Sequence, residues 1–146
     1  MTSNSADTAN KIFREQKAHC AQAIFASYSE QLSDGKVDFD TAMKIAAAFS
    51  GGMSRTGNVC GAITGALMAI GLKYGSAEKA DEIAGYLLNE FKSLNETIIC
   101  RELIDHDLLT DEDIKMAFKK GAFDNCNKYV KDVTRILDKL FTLHHT

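Results

Sequence analysis

An all-α fold is predicted: one compact bundle of about five to six helices around a central glycine- and alanine-rich helix. Three observations carry that expectation. The chain has no proline, and turn-forming clusters are sparse between its apolar segments, so little cuts it into hairpin-length pieces. Its apolar residues recur at steps of three and four over long windows, the period of a helix face. Its 146 residues suit a single domain that buries a core without disulfide staples. No second domain, repeat or low-complexity segment divides 1–146, and only 1–8 and 142–146 read as loose ends.

The elements follow in order. From about Ala9 to Leu32, the residues Phe13, Cys20, Ile24, Tyr28 and Leu32 fall along one helical face, which turns Cys20 inward in mid-helix. The turn Ser33-Asp34-Gly35 ends this helix. Asp38 or Asp40 caps a second one carrying Ala42, Ile45, Ala46 and Phe49. In Ser50 to Val59, SGGMSRTGNV, three glycines give a loop access to backbone angles closed to other residues. The third helix has Gly61, Gly65 and Ala69 at spacings of four, a face of nearly bare backbone suited to close packing at the centre. Ser76 caps a fourth helix, whose Ala80, Ile83, Ala84, Leu87, Leu88, Phe91 and Leu94 keep the three-and-four rule. TIICREL passes from extended chain into a brief helical turn, and LIDHDL reads as irregular. Thr110 and Asp113 form a capping pair for a short helix that Gly121 closes, with Lys119 and Lys120 complementing its negative end. The last helix runs from about Asn125 and buries Val130, Val133, Leu137 and Leu140.

Charge excludes some functions. The 17 basic and 20 acidic residues are interspersed, and there is no tryptophan. Nucleic-acid binding calls for a basic stripe with interleaved aromatics, which this chain lacks. The opening MTSNSADTAN has no basic start followed by an apolar run, so it is not a secretory signal. The apolar run from Ala62 to Leu72 is well short of the roughly 20 residues that span a bilayer. These readings lead to the expectation of a cytoplasmic protein without membrane insertion, whose cysteines serve metal or redox chemistry more readily than permanent bridges.

The four cysteines, Cys20, Cys60, Cys100 and Cys126, are separated by 40, 40 and 26 residues. None forms a CxxC pair, so thioredoxin-type, c-type haem and common zinc-finger spacings are unmatched, and any shared site must be assembled by folding. Cys60, Cys100 and Cys126 each fall at or beside a predicted helix start. Free N–H groups and the positive end of the helix dipole favour the thiolate there, drawing a thiol below its usual ~8.5. Arg55, five residues before Cys60, adds positive charge. Cys20, within its helix, gains nothing from its own dipole but is available as a fourth ligand or a resolving thiol. Taken singly, each cysteine is more readily a small core hydrophobe; three at helix starts, one behind a glycine-rich loop, point to a common site.

Other candidates carry less. His19 lies about a hundred degrees around the helix from Cys20 and reads as a surface residue. His106, in LIDHDL, is a candidate ligand or acid/base weighed against a solvated loop histidine. His144 and His145 fall in the tail. Asp111, Glu112 and Asp113 read as helix capping. SGGMSRTGN lacks the Lys-Ser/Thr of a P-loop and reads as a tight turn.

The run FSGGMSRTGNVCGAITGALMAIGLKYG, the CREL at Cys100 and the closing CNKYVKDVTRILDKL together resemble the C_GCAxxG_C_C family of small four-cysteine, redox-active proteins. The likeness extends from about Cys20 to Leu140, with the cysteines in family order. The family label writes Gly-Cys-Ala where this chain reads Cys60-Gly61-Ala62, followed by Gly65. The resemblance implies a redox role resting on Cys20, Cys60, Cys100 and Cys126. A similar domain accompanies c-type haem in some multi-haem proteins, where its cysteines suit an iron-sulfur centre; with no CxxCH here, covalent haem is not carried over.

Three expectations result. The first is an iron-sulfur cluster, of the [2Fe-2S] type, on the four cysteines, serving electron transfer with a redox partner protein. The second is a thiol-disulfide oxidoreductase in which Cys60 attacks and another cysteine resolves. The third is a structural zinc site, or a helical interaction module with no metal, for which the small-residue face offers a homodimer contact.

Overall fold

The apolar stripe from Ala9 to Leu32 folds as two helices, not as the single one its period suggests. In the computed structural model, which describes residues 3–145, α1 spans Ser3–Arg14 and α2 spans Cys20–Leu32. Between them Gln16 takes a left-handed conformation, φ 60°, and the amide of Lys17 donates to the carbonyl of Ile12 at 2.8 Å. Glycine usually occupies such a stop. With glutamine there and no proline in the chain, the sequence carries no mark of the break. Cys20 therefore opens α2 instead of lying within a longer helix.

Of the ends expected to be loose, Met1, Thr2 and Thr146 lie outside the described residues. Ser5 and Ala9 are buried in α1, and Thr142 and Leu143 complete the last helix.

The remaining helices stand close to where capping chemistry puts them. Asp38 caps α3, Phe39–Ile45, its carboxylate accepting the Thr41 amide at 2.8 Å. This helix packs mainly against α2 and buries Ala42 and Ala46, while Ile45, expected inside, is exposed. α4 is Gly61–Tyr74. α5, Ala77–Asn95, is capped by the Ser76 hydroxyl, which accepts the Lys79 amide; it buries Ile83, Leu87 and Phe91, but its last turn carries Leu94 out to solvent. α6 is the short Cys100–Leu103. α7, Asp111–Lys119, opens on the reciprocal Thr110–Asp113 capping box. α8, Cys126–Leu143, buries Val130, Val133, Leu137 and Leu140. The eight helices among the described residues exceed the predicted number because one predicted helix divides and the turn at Cys100 forms a short helix. No strand occurs among the described residues, only the isolated antiparallel bridge Val59–Ile99.

α2 packs against α1, α3, α4 and α8, and α4 packs also against α5 and α8. The centre is thus shared between α2 and α4, where α4 alone was expected. Glycine makes their approach close: a Cβ on Gly65 would stand 2.7 Å from the Ala21 carbonyl oxygen. Gly61, Gly65 and Ala69 are buried, with Gly61 and Gly65 set against Cys20 and Ala21. Around these helices lies the main core, which includes Ile24, Tyr28, Ile63, Leu87, Phe91 and Val133. A second, much smaller cluster of Cys100, Ile104, Leu108 and Ala117 sits under α6 and α7. No helix among the described residues is long and apolar enough to cross a membrane.

Candidate functional site

All four cysteines begin helices. Cys20, Cys100 and Cys126 are the first residues of α2, α6 and α8, and Cys60 is the residue before α4. The bridge Val59–Ile99 sets two of them side by side. The Cys60 amide donates to the Ile98 carbonyl at 2.8 Å, and the Cys100 amide to the Asn58 carbonyl at 2.6 Å. Both chains then turn directly into helix, presenting two thiols at adjacent helix starts. Cys20 arrives by the packing of α2 on α4: its Sγ lies where a Cβ of Gly61 would be, so only glycine at 61 admits the sulfur. Cys126 enters from the start of α8, packed against both the main core and the small cluster.

The four sulfur-bearing residues line one cavity of about 590 Å³, open to the surface and walled also by Gly51, Gly61, Leu103, Phe123 and Tyr129. Arg14, His19, Arg55, Phe118 and Asp124 line it as well. The folded chain therefore gathers residues scattered from 20 to 126 into one site. No disulfide joins them; all four are free thiols.

The loop from Ser50 to Val59 has an unusual form. Gly51, Gly52, Met53, Ser54 and Arg55 all have φ between 57° and 72°, a left-handed turn that L-residues avoid, at roughly 1–2 kcal/mol for each non-glycine residue. It brings the Gly51 amide to Cys20. Gly52 packs so closely that a Cβ there would be 2.7 Å from Cys100 Cβ. The Thr56 hydroxyl ties the turn by donating to the Gly52 carbonyl at 2.6 Å.

Two influences oppose each other at the sulfurs. Backbone N–H groups of Gly51, Ala21 and Gly61 point at Cys20 Sγ, and those of Ala62 and Ile63 at Cys60 Sγ, all favouring thiolate. Burial favours the neutral thiol, and it prevails at every site. Cys20 and Cys60 are pushed up chiefly by desolvation; Cys60 also feels the neighbouring sulfurs of Cys20 and Cys100. Burial, then Cys20, lifts Cys100 to about 11. Burial, then Cys20, Cys100 and Asp124, lifts Cys126 to about 12. The expectation of depressed thiols at helix starts is thus reversed, because sulfurs removed from water and crowded by other sulfurs lose more than helix dipoles return.

The other candidates separate clearly. Arg55 lines the cavity, and its guanidinium lies over the Phe118 ring, 5.5 Å from the centroid. His19 is exposed, at the N-cap of α2, with Gln22 reaching back to its amide. His106 is outside the cavity lining; its Nε2 lies 3.0 Å from the Asp113 carbonyl, a structural contact. Asp113 belongs to the α7 cap, as expected. Sequence reasoning missed Tyr129, which lines the cavity and donates to the Leu103 carbonyl at 2.9 Å. Its place three residues after Cys126 in the same helix start was the available signal.

Among the described residues, no three His, Cys, Asp or Glu side chains are gathered into a group that could hold a metal ion.

The fold and the cavity define an all-helical protein with four cysteines around one open cavity. The family described as "Putative redox-active protein (C_GCAxxG_C_C)" matches residues 18–140, a span that includes all four cysteines. The chain belongs to this family. No curated protein and no solved structure matches it.

Proposed function

We propose that Cys20, Cys60, Cys100 and Cys126 together hold an iron-sulfur cluster of the [2Fe-2S] type, and that the protein carries single electrons to or from a redox partner protein. The observation that carries this reading is the convergence of four thiols, each from a helix start, on one cavity. Their number matches the ligand set of such a cluster. A structural zinc ion would take its ligands in one tetrahedral shell, whereas a two-iron cluster takes a pair at each iron.

The protonation of the thiols points the same way. A buried, neutral thiol is a poor nucleophile, so raised values at all four positions weigh against Cys60 as an attacking thiol. A cluster held by the four cysteines would take them as thiolates, its positive iron offsetting the buried negative charge that otherwise keeps them protonated. When bound, the cluster supplies one-electron oxidation and reduction. The chain's contribution is then electrostatic. Amides of Gly51, Ala21 and Gly61 on Cys20, and of Ala62 and Ile63 on Cys60, stabilise negative charge on those sulfurs and raise the reduction potential. Phe123, Leu103 and Tyr129 restrict water on the cavity's apolar side.

Protein produced and purified without oxygen is expected to be brown, with equimolar iron and acid-labile sulfide, and each Cys→Ser substitution should reduce both. Iron-free protein under those conditions, or zinc in its place, overturns the proposal.

A further inference from the structure

The cavity lies between two parts of unequal strength. On one side stands the main core, with Cys20 and Cys60 packed into it. On the other is the segment between Cys100 and Cys126, resting on the small cluster of Cys100, Ile104, Leu108 and Ala117. Its one helix of any length, α7, has nine residues, fewer than the ~12–15 an isolated helix needs in water, and it packs extensively against no other helix.

The anchors of this segment are gathered at one end. The Arg101 amide donates to the Gly57 carbonyl at 3.1 Å, an Arg101 guanidinium nitrogen donates to the same carbonyl, and Tyr129 holds Leu103. Past that point, among the described residues, 105–124 hydrogen-bond only within 100–126 and form no ion pair. Arg55 over Phe118 is the one cation–ring contact joining the segment to the body, and Phe118 is 58% exposed. A unit with so few buried contacts opens at lower cost than the core does. Cys60 and Cys100 are only 7% and 6% exposed, so delivery of a bulky inorganic unit to them requires one wall to move.

We propose that residues 105–124 form a cover that opens as a unit about hinges beside the anchored Cys100–Leu103 turn and Cys126, is latched by Arg55 on Phe118, and is locked when an iron-sulfur unit held by all four cysteines fixes both hinges. The locking half rests on the cofactor reading above; the opening half does not. Cys100 and Cys126 flank the cover at its hinges and Cys20 and Cys60 stand in the body, so a cluster bound by all four would fix both ends of the cover against the body. Filling the site and closing the cover are then one equilibrium.

Hydrogen exchange on the full chain tests this, comparing iron-free protein with protein reconstituted with ferrous iron and sulfide. In the iron-free form the amides of 105–121 should exchange together, at least about tenfold faster than those of α4 and α8. Phe118→Ala, at an exposed position, should speed them by a further two- to fivefold or about that, leaving α4 and α8 unchanged. Reconstitution should slow the segment toward the body's rate. Exchange of 105–121 at the rate of α8 in iron-free protein, or a Phe118→Ala effect spread over all helices, overturns the cover. A loaded protein whose segment still exchanges fast overturns the lock. Failure to take up iron and sulfide overturns the cofactor reading instead, and fast collective exchange of the iron-free segment then still supports the opening cover.

Discussion

The body of the molecule and the 100–126 segment each supply two cysteines to one cavity, yet they are built differently. The body presses α2 on α4 through glycine and surrounds them with large buried side chains. The segment has four buried residues, one of them a cysteine, and a helix held mainly by its own cap. A site shared between a rigid half and a weak half keeps its geometry in the first and its means of access in the second.

Core truncation gives the largest expected contrast. Phe91→Ala, in the body, should lower global stability by about 3–5 kcal/mol, read by urea denaturation. Leu108→Ala, in the segment, should change the same measurement by less than about 1 kcal/mol while quickening local exchange. Equal losses would erase the distinction between the two parts.

Thiol reactivity sharpens it from the chemical side. In metal-free protein at pH 8, Cys100, at about 11, should alkylate on the order of a hundredfold more slowly than free cysteine. Cys126, at about 12, should be slower still, and both rates should climb with pH up to those values. The folded form binds these protons more tightly than the unfolded chain does. Metal-free protein therefore keeps its full stability below the unfolded thiol value of ~8.5 and loses it as pH rises through 11 and 12. A stability that rises over that range would contradict the burial of the sulfurs.

Glycine substitutions within α4 give smaller effects of opposite sign. At Gly65 a Cβ would meet the Ala21 backbone, so Gly65→Ala should cost about 1–3 kcal/mol. At Gly71 a Cβ would meet nothing within 4 Å, so Gly71→Ala should add about 0.5–1 kcal/mol by restricting the unfolded chain. Thermal midpoints moving in the same direction for both would mean that α4 does not lie against α2 as described.

The helices were legible where period and cap coincide: Asp38, Ser76, Thr110 and Gly121 all stand at helix ends. The break before Cys20 was not, because a left-handed glutamine leaves no signature and the apolar step across the corner mimics a continuous face. That concealed the fact that all four cysteines begin helices. Which residues are candidates could be read from Cys20, Cys60, Cys100 and Cys126 themselves. Their protonation could not, since helix starts are visible in a sequence while burial and mutual crowding arise only from packing. Likewise, the glycines of SGGMSRTGN announce a turn, but not that Met53, Ser54 and Arg55 continue it in the left-handed form.

X-ray absorption at the iron edge of protein loaded without oxygen tests most directly whether both parts contribute sulfur to one centre. An all-sulfur shell with a second iron beside the first is predicted, replaced by oxygen or nitrogen ligation when either Cys60 or Cys126 becomes serine. A lone iron bound by oxygen or nitrogen in the unaltered protein, or a sulfur shell indifferent to the Cys126 change, would contradict it.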